Sequence, residues 1–344
     1  MTLTHMLGAP GDGGAETYFL TLIEALKRAG YDQAAITRPW PSRDARLRAL
    51  GIPLQNAPFL PALQWPTRLI AGRFARQQKT QAILSWMSRA ADAAPKGPWA
   101  RIGRLGGYYN LKYFRGHDFL VGNTPDIVDF ILAQGWPAEK ALYIPNFASA
   151  RPGAAADRAL YDTPTDAPLL LGLGRLHSDK AHDISLKALA QIPGAYLWIA
   201  GSGPLEDELK ALAQKLGVAD RVRFLGWVED PAPLYRAADV CLFPSRVEPM
   251  GNVVIQAWAY GLPVVTAASK GPAFLVQDGE DALLCPLEDA GAVASGIMRI
   301  LGDPDLKARL IAKGAARLEA EFSETVVVEA WASLFERFGV ARPG

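Results

Sequence analysis

Apolar positions along the chain come in two periods, and their alternation predicts the elements. Leu3–Leu7 is a short apolar run and reads as a strand, followed by a glycine-rich loop with Gly8, Gly11, Gly13 and Gly14. Tyr18, Phe19, Leu22, Ile23 and Leu26 then recur at helical spacing, which predicts a helix over 16–29 stopped by Gly30. Ala34–Thr37 reads as the next strand. Six prolines in 39–66 predict a loop with short elements. Residues 73–94 read as one helix, Phe119–Val121 as a strand, and Asn123-Thr124-Pro125 as a helix start. Tyr143–Pro145 reads as a strand that leads into a Pro/Gly/Ala/Asp-rich segment, 148–168, read as a linker.

The second half is more regular. Strands are expected at 169–173, 196–200, 222–224, 240–243 and 263–266. Helices are expected at 183–191, 205–216, 232–238 and 252–260, with a last helix near 323–338. Strand and helix alternate at short intervals, which predicts parallel sheets with crossover helices in an α/β protein. A length of 344 residues suits two such domains.

Composition narrows the class. Half of the chain is apolar and 21% is charged, as in a folded globular protein. No apolar run approaches the ~20 residues that span a bilayer. The start lacks a basic stretch followed by an apolar leader, so the expected location is cytoplasmic. Cys241 and Cys285 are too few for a disulfide framework or a cysteine zinc site. Cys241 falls in an expected strand and reads as buried filler.

The net charge of +1 predicts no nucleic-acid partner, but it hides an asymmetry. Residues 1–150 carry 17 basic and 10 acidic side chains, a net of +7. Residues 151–344 carry 19 and 25, a net of −6. Most of the excess lies in 66–116, where ten cations, Arg101 and Arg104 among them, face Asp92 alone. Trp86, Trp99, Tyr108, Tyr109 and other aromatics are interleaved. Such a mixture fits an anionic membrane surface, an anionic acceptor, or a solvated helix face over core aromatics.

The candidate chemistry sits at strand-to-helix turns, because ligands of open parallel sheets lie outside the carboxyl ends of the strands. Gly11-Asp12-Gly13-Gly14-Ala15-Glu16 is a turn whose amides could hold a phosphate, or simply a tight turn. Gly174-Arg175-Leu176-His177-Ser178-Asp179-Lys180 places two cations five residues apart. They either neutralise a diphosphate without a metal or are ordinary surface charge. Gly201-Ser202-Gly203-Pro204 and Gly226-Trp227-Val228 are two further turns. Pro244-Ser245-Arg246-Val247-Glu248-Pro249-Met250-Gly251-Asn252 is the most distinctive. Its Glu248 precedes a helix with unpaired first amides, an arrangement that can hold a polyol. Gln256 follows eight residues after Glu248.

Taken in order, Gly13–Glu16, Gly174–Lys180, Gly201–Pro204, Val222–Val228, Leu234–Asp239, Pro244–Gly251 and Ala257–Val265 resemble family 4 of the retaining glycosyltransferases. The resemblance covers most of 169–266, and the first half matches only through its glycine-rich loop. It implies the GT-B fold, two Rossmann-like doubly wound domains facing a deep cleft. An acceptor domain would occupy 1–150 and a nucleotide-sugar domain 151–322, with the final helix, about 323–340, returning to the first domain. It implies that Arg175 and Lys180 bind the donor diphosphate and that Glu248 contacts the donor sugar. Gly13 and Gly14 would close on the phosphates. Gly203, Trp227, Val228 and Gln256 would border base and ribose, and Met250, Gly251 and Asn252 would offer amides. Glu16, Arg101, Arg104, Tyr108 and Tyr109 are candidates for acceptor or membrane contacts.

The implied reaction is metal-independent, retaining transfer of a hexose-type sugar from a UDP- or GDP-linked donor, with no cofactor. The implied acceptor is a glycolipid or envelope glycan such as a lipopolysaccharide core, reached from the inner face of the cytoplasmic membrane. Two departures stand out. The family's second acid, eight positions after the first, is Gln256 here, which hydrogen-bonds but supplies no carboxylate. The expected first-domain histidine is also missing near Arg104–Tyr109, and His5, His117, His177 and His182 read as structural or exposed. Asp303-Pro304-Asp305 resembles a metal-binding acid pair but reads as a helix cap. An epimerase, a sugar phosphorylase or a non-catalytic nucleotide-sugar-binding protein of the same fold are the competing readings.

Overall fold

The computed structural model describes residues 2–11, 13–61 and 63–340. The chain divides into two compact units, Met1–Asn146 with Glu324–Gly344, and Phe147–Ser323.

The first unit is built on β1 (Thr2–Leu7), α1 (Gly14–Arg28), β2 (Gln33–Thr37), α2 (Pro41–Ala49), β3 (Leu54–Asn56), α3 (Trp65–Gln77), β4 (Thr80–Trp86), α4 (Met87–Ala93), β5 (Ala100–Leu105), β6 (Phe119–Gly122), α5 (Pro125–Ala133) and β7 (Ala141–Tyr143). Its seven strands are parallel, in the order β3-β2-β1-β4-β5-β6-β7. β1 and β4 form the centre, and the chain winds outward from them in both directions.

The second unit contains β8 (Leu169–Leu173), α6 (His182–Leu189), β9 (Tyr196–Ala200), α7 (Glu206–Lys215), β10 (Val222–Gly226), α8 (Ala232–Ala237), β11 (Val240–Phe243), α9 (Asn252–Ala259), β12 (Val264–Ala267), α10 (Lys270–Leu275), β13 (Leu283–Cys285), α11 (Ala290–Gly302) and α12 (Pro304–Arg317). Its six parallel strands run β10-β9-β8-β11-β12-β13. Both sheets are doubly wound and Rossmann-like. Their switch points, where ligands of this architecture lie, fall between β1 and β4 and between β8 and β11. Two apolar clusters sandwich the second sheet. Leu170, Leu197 and Ile199 face one, and Leu169, Leu171 and Trp198 face the other.

The final helix, α13 (Glu324–Glu336), packs in the first unit. Arg28 makes a two-pronged bond to Glu324 at 2.7 and 2.9 Å, Tyr31 meets Phe335 edge-on, and Trp331 is fully buried.

The structure departs from the sequence reading in three places. The helix expected over 73–94 is α3, β4 and α4 in succession. Ala82, Ile83, Leu84 and Trp86 are buried in the centre of the sheet, paired to β1 and β5. A strand covered on both faces is continuously apolar, which is the pattern a buried helix also shows. In the proline-rich stretch, read as loop with short elements, Pro41 occupies the first helical turn of the nine-residue α2, and the three-residue β3 follows, as expected. The strand read at Tyr143–Pro145 begins and ends earlier, at Ala141–Tyr143.

The segment 148–168 does not hang free. Ala156 donates to Pro233, and Arg158 binds the Ala237 carbonyl and Asp239. Thr163 accepts the indole N–H of buried Trp198 at 2.9 Å. The predicted caps do form: Thr124 accepts from the Ile127 amide, and Asp303 from Leu306 at 2.9 Å. Asp303 is thus a helix cap, and Cys241 is fully buried.

Candidate functional site

In the second unit three turns are stitched together at the carboxyl ends of β8, β9 and β10. The Gly174 amide donates to Ala200, Leu176 to Ser202, Leu205 to Leu176, and Gly201 to Gly226 at 2.7 Å. Gly201 has φ +153, and a Cβ there would lie 2.0 Å from the Gly174 carbonyl oxygen. A Cβ on Gly203 would stand 2.5 Å from the carbonyl of Leu176. These glycines are therefore required first by backbone-to-backbone packing. They hold the 174–180 loop at the switch point.

That loop ends in a 3-10 turn, Ser178–Lys180, and Ala181 in a left-handed conformation swings the chain into α6. Lys180 reaches the loop after β11, where its Nζ lies 2.6 Å from Glu248 Oε2 and 5.8 Å from the ring centre of Phe243. The other carboxylate oxygen of Glu248 accepts from the Gly251 amide at 3.2 Å. Gly251, at φ +97, caps α9. The Glu248 carbonyl accepts from the Gly271 amide at 2.8 Å, and a Cβ on Gly271 would collide with the Met250 backbone at 2.6 Å. Lys180 and Glu248 come from the two loops that flank the switch point. They are brought together as a partly shielded ion pair anchored to a helix start.

The arrangement is braced from behind. Arg246 forks onto Asp183 at 2.8 and 2.9 Å, reaches Glu288, and donates to the Ser178 carbonyl at 2.8 Å. The Arg246 amide donates to the Asp179 carbonyl at 2.8 Å. Burial pushes the Asp183 pKa up, but its bonds to Arg246 and Lys187 outweigh this and bring it down to about 2. His182, behind the loop, is lowered to about 4 chiefly by burial, and its Nε2 sits 3.2 Å from the Gly174 carbonyl. The neutral ring therefore donates there.

Arg175 is exposed, and its guanidinium makes no hydrogen bond or ion pair among the described residues. Trp227 is half exposed, while Val228 packs on the core beside α8. Met250 and Gly251 are buried, and Asn252 opens α9. Gln256 is not left facing solvent. Its Oε1 accepts from the buried Tyr235 hydroxyl at 3.0 Å, and Tyr235 stacks on Tyr260 with 5.2 Å between ring centres. Tyr235, Arg246 and Asp183 were not singled out by sequence reasoning. The visible signal was Arg246, a lone cation beside Glu248, with Asp183 three residues after Lys180.

In the first unit Gly13 caps α1 and Gly14 opens it; a Cβ on Gly13 would press on the Glu16 carboxylate at 2.8 Å. Arg104, near the end of β5, is only 2% exposed. Its guanidinium lies 4.9 Å from the Tyr18 ring and 4.6 Å from Trp86, and it donates to Asn146. No carboxylate pairs with it among the described residues, and burial lowers its pKa. Burial raises the Tyr109 pKa, with Arg104 opposing and Glu16 reinforcing the shift, which puts these three groups in one neighbourhood.

Tyr108 is drawn elsewhere. Its hydroxyl donates to Asp126, and its pKa is pushed up to about 12 by burial and that bond. Arg101, at the start of β5, lines a separate groove. The five unit-one candidates thus split three ways. Histidine is represented near Arg104 by His5, which accepts from Trp86 at 3.4 Å and contacts Gln33 at 2.9 Å. Burial lowers its pKa to about 4, so it stays neutral.

Among the described residues no cluster of three or more His, Cys, Asp and Glu side chains forms a metal site. No helix among them is long and apolar enough to cross a membrane.

Two doubly wound parallel sheets, one with a lysine–glutamate pair at its switch point, fit the GT-B glycosyltransferase fold that the sequence resemblance implies. The comparisons agree. The family model for glycosyl transferases group 1 matches residues 167–303. The chain is 37% identical over 337 residues to the lipopolysaccharide core biosynthesis glycosyltransferase LpsE of Rhizobium meliloti, covering 94% of this chain and 96% of LpsE. It is 33% identical to LpsD of the same organism, covering 96% and 97%. Among solved structures, Anabaena HepE in complex with UDP and glucose superposes with a TM-score of 0.84 at 19% identity, covering 98% of this chain and all of that one. The chain belongs to the group 1 glycosyl transferases.

Proposed function

We propose that this glycosyltransferase moves a hexose-type sugar from a nucleoside-diphosphate sugar to a lipopolysaccharide-core acceptor, with retention of configuration and without a metal. The end-to-end similarity to LpsE and LpsD supports the acceptor class. UDP is the favoured nucleotide, because HepE was solved with UDP. The observation that carries the chemistry is the Lys180–Glu248 pair at the switch point.

In this reading the pair holds Lys180 extended until a diphosphate arrives. Lys180 and the unpaired Arg175 then neutralise the leaving group, and Glu248, still held by the Gly251 amide, accepts from sugar hydroxyls. Among the described residues no side chain stands ready as a nucleophile, and in this reading the acceptor hydroxyl attacks on the face the diphosphate leaves. The departing phosphate oxygen takes the hydroxyl proton, and the enzyme contributes position and charge. The same reading places the enzyme in the cytoplasm, at the inner face of the membrane where its acceptor is anchored.

Calorimetric titration with UDP and GDP, with and without EDTA, tests the proposal. UDP binding that EDTA leaves unchanged is the expected result. Binding of GDP alone, or of neither nucleotide, would overturn the donor assignment, and loss of binding with EDTA would overturn metal independence.

A further inference from the structure

Helix α3 of the first unit is two-faced. Thr67, Ala71, Phe74 and Ala75 point inward, whereas Trp65, Arg68, Leu69, Gly72 and Arg76 line one side of a groove of about 710 Å³. The other side comes from α4, the turn after it, and the segment between β5 and β6. Six cations border the groove: Arg68, Arg76, Lys96, Arg101, Lys112 and Arg115. Asp92 is the one acid in the lining, and Arg68 already occupies it at 3.3 Å. Arg76 lies over Trp99 and Lys112 over Tyr113. The side chains of Lys96, Arg101, Lys112 and Arg115 meet no carboxylate among the described residues. Like charges gathered around one groove repel, and an anionic occupant relieves them.

Two features decide what that occupant is. First, the groove is not the place where this fold binds its reacting ligands. It runs along the helical flank to Arg101 at the amino end of β5. None of the residues at the carboxyl ends of β1 and β5, the 8–14 loop and Arg104–Tyr109, line it. Second, its rim is apolar as well as basic. Trp65 is 60% exposed and Leu69 48%, and Leu60 and Leu63 in the turn ahead of α3 are exposed too. A small soluble anion has no use for these side chains. The interface of a bilayer does: tryptophan and leucine enter the headgroup region while arginine and lysine meet lipid phosphates.

We infer that this groove and the outer face of α3 dock the protein on an anionic lipid surface. The inference rests on the functional reading above, to which it adds the place of attachment, separate from the transfer site. Docking through a flank leaves the carboxyl ends of the strands open.

The test is flotation of the full chain with vesicles of phosphatidylcholine alone and of phosphatidylcholine with phosphatidylglycerol in equal parts. The wild type should bind only the anionic vesicles, and less as salt rises, since screening shortens from ~10 Å at 0.1 M to ~3 Å at 1 M. The Lys96→Glu/Arg115→Glu variant should lose at least about tenfold in binding, because each cation near such a surface contributes ~1 kcal/mol. Trp65→Ser should lose several-fold while keeping the wild-type melting temperature. Both variants should bind UDP as the wild type does, which separates this test from that of the transferase reading. Equal binding to both vesicle types overturns the inference. So does release by millimolar inorganic phosphate with Trp65→Ser binding normally, which would make the groove a site for a soluble anion.

Discussion

The two units share an architecture but use charge in opposite ways. In the second, the buried or half-buried cations of the site have carboxylate partners: Lys180 has Glu248, and Arg246 has Asp183 and Glu288. In the first, Arg104 is buried with no acid partner among the described residues, held by two aromatic faces and an amide, and the groove cations are largely unpaired among them. A paired cation can be handed from its carboxylate to an incoming phosphate and back, so it suits a site that turns over. A cation without a counter-charge waits for one from outside, so it suits recognition. The net charges of residues 1–150 and 151–344, +7 and −6, run in the same direction as this contrast.

The sharpest way to break the comparison is to remove the exchangeable cation. Lys180→Ala should lower turnover by at least ~100-fold, the scale for loss of a preorganised charge contact, while leaving the fold intact. Steady-state kinetics with near-wild-type turnover would deny the second unit its role.

Acid offers a test of intermediate size. His5 and His117 in the first unit, and His182 in the second, are lowered by burial from 6.5 to about 4. The unfolded chain takes up protons first as pH falls. Their contribution is therefore fully present above 6.5 and is lost as pH drops to about 4, at about 3 kcal/mol for each ring. Asp183, lowered from 3.8 to about 2, keeps its contribution above 3.8 and loses it only as pH falls from there through about 2. The first unit should thus weaken about twice as fast as the second between pH 6.5 and 4. Denaturant titrations over this range should show the first unit's midpoint falling about twice as far as the second's, and His5→Gln should shrink that difference.

The smallest expected effect concerns Gln256. Because Tyr235 donates to its Oε1, a carboxylate can accept the same bond, and Gln256→Glu should stay within about tenfold of wild-type turnover, roughly 1.4 kcal/mol. A dead variant would give Gln256 a role beyond its bond to Tyr235.

How much was legible follows the same division. In the second unit, strands such as Leu169–Leu173 and Val240–Phe243 lie where their apolar runs, ended by Gly174 and Pro244, put them, and the order of turns pointed to Lys180 and Glu248. In the first, the central strand β4 was hidden, because Ala82–Trp86 is buried on both faces and flanked by helices with no glycine or proline between. The turn with Gly201 and Gly203 was read as a ligand-side turn, with Gly203 bordering base and ribose. These glycines are first the space in which two loops touch, since spacing alone does not distinguish a turn that meets a phosphate from one that meets its neighbour's carbonyl. Arg104 was visible as a residue but not as an uncompensated charge, because Tyr18, Trp86 and Asn146 converge on it only in three dimensions.

The return of α13 to the first unit has a consequence for synthesis. Residues 147–323 form an insertion within the first unit rather than a successor to it. As the chain emerges from the ribosome, the first sheet must wait for more than half of the polypeptide before Trp331 and Phe335 arrive to cover it, whereas the inserted unit has all its strands and helices beforehand. The unit that begins first is therefore finished last.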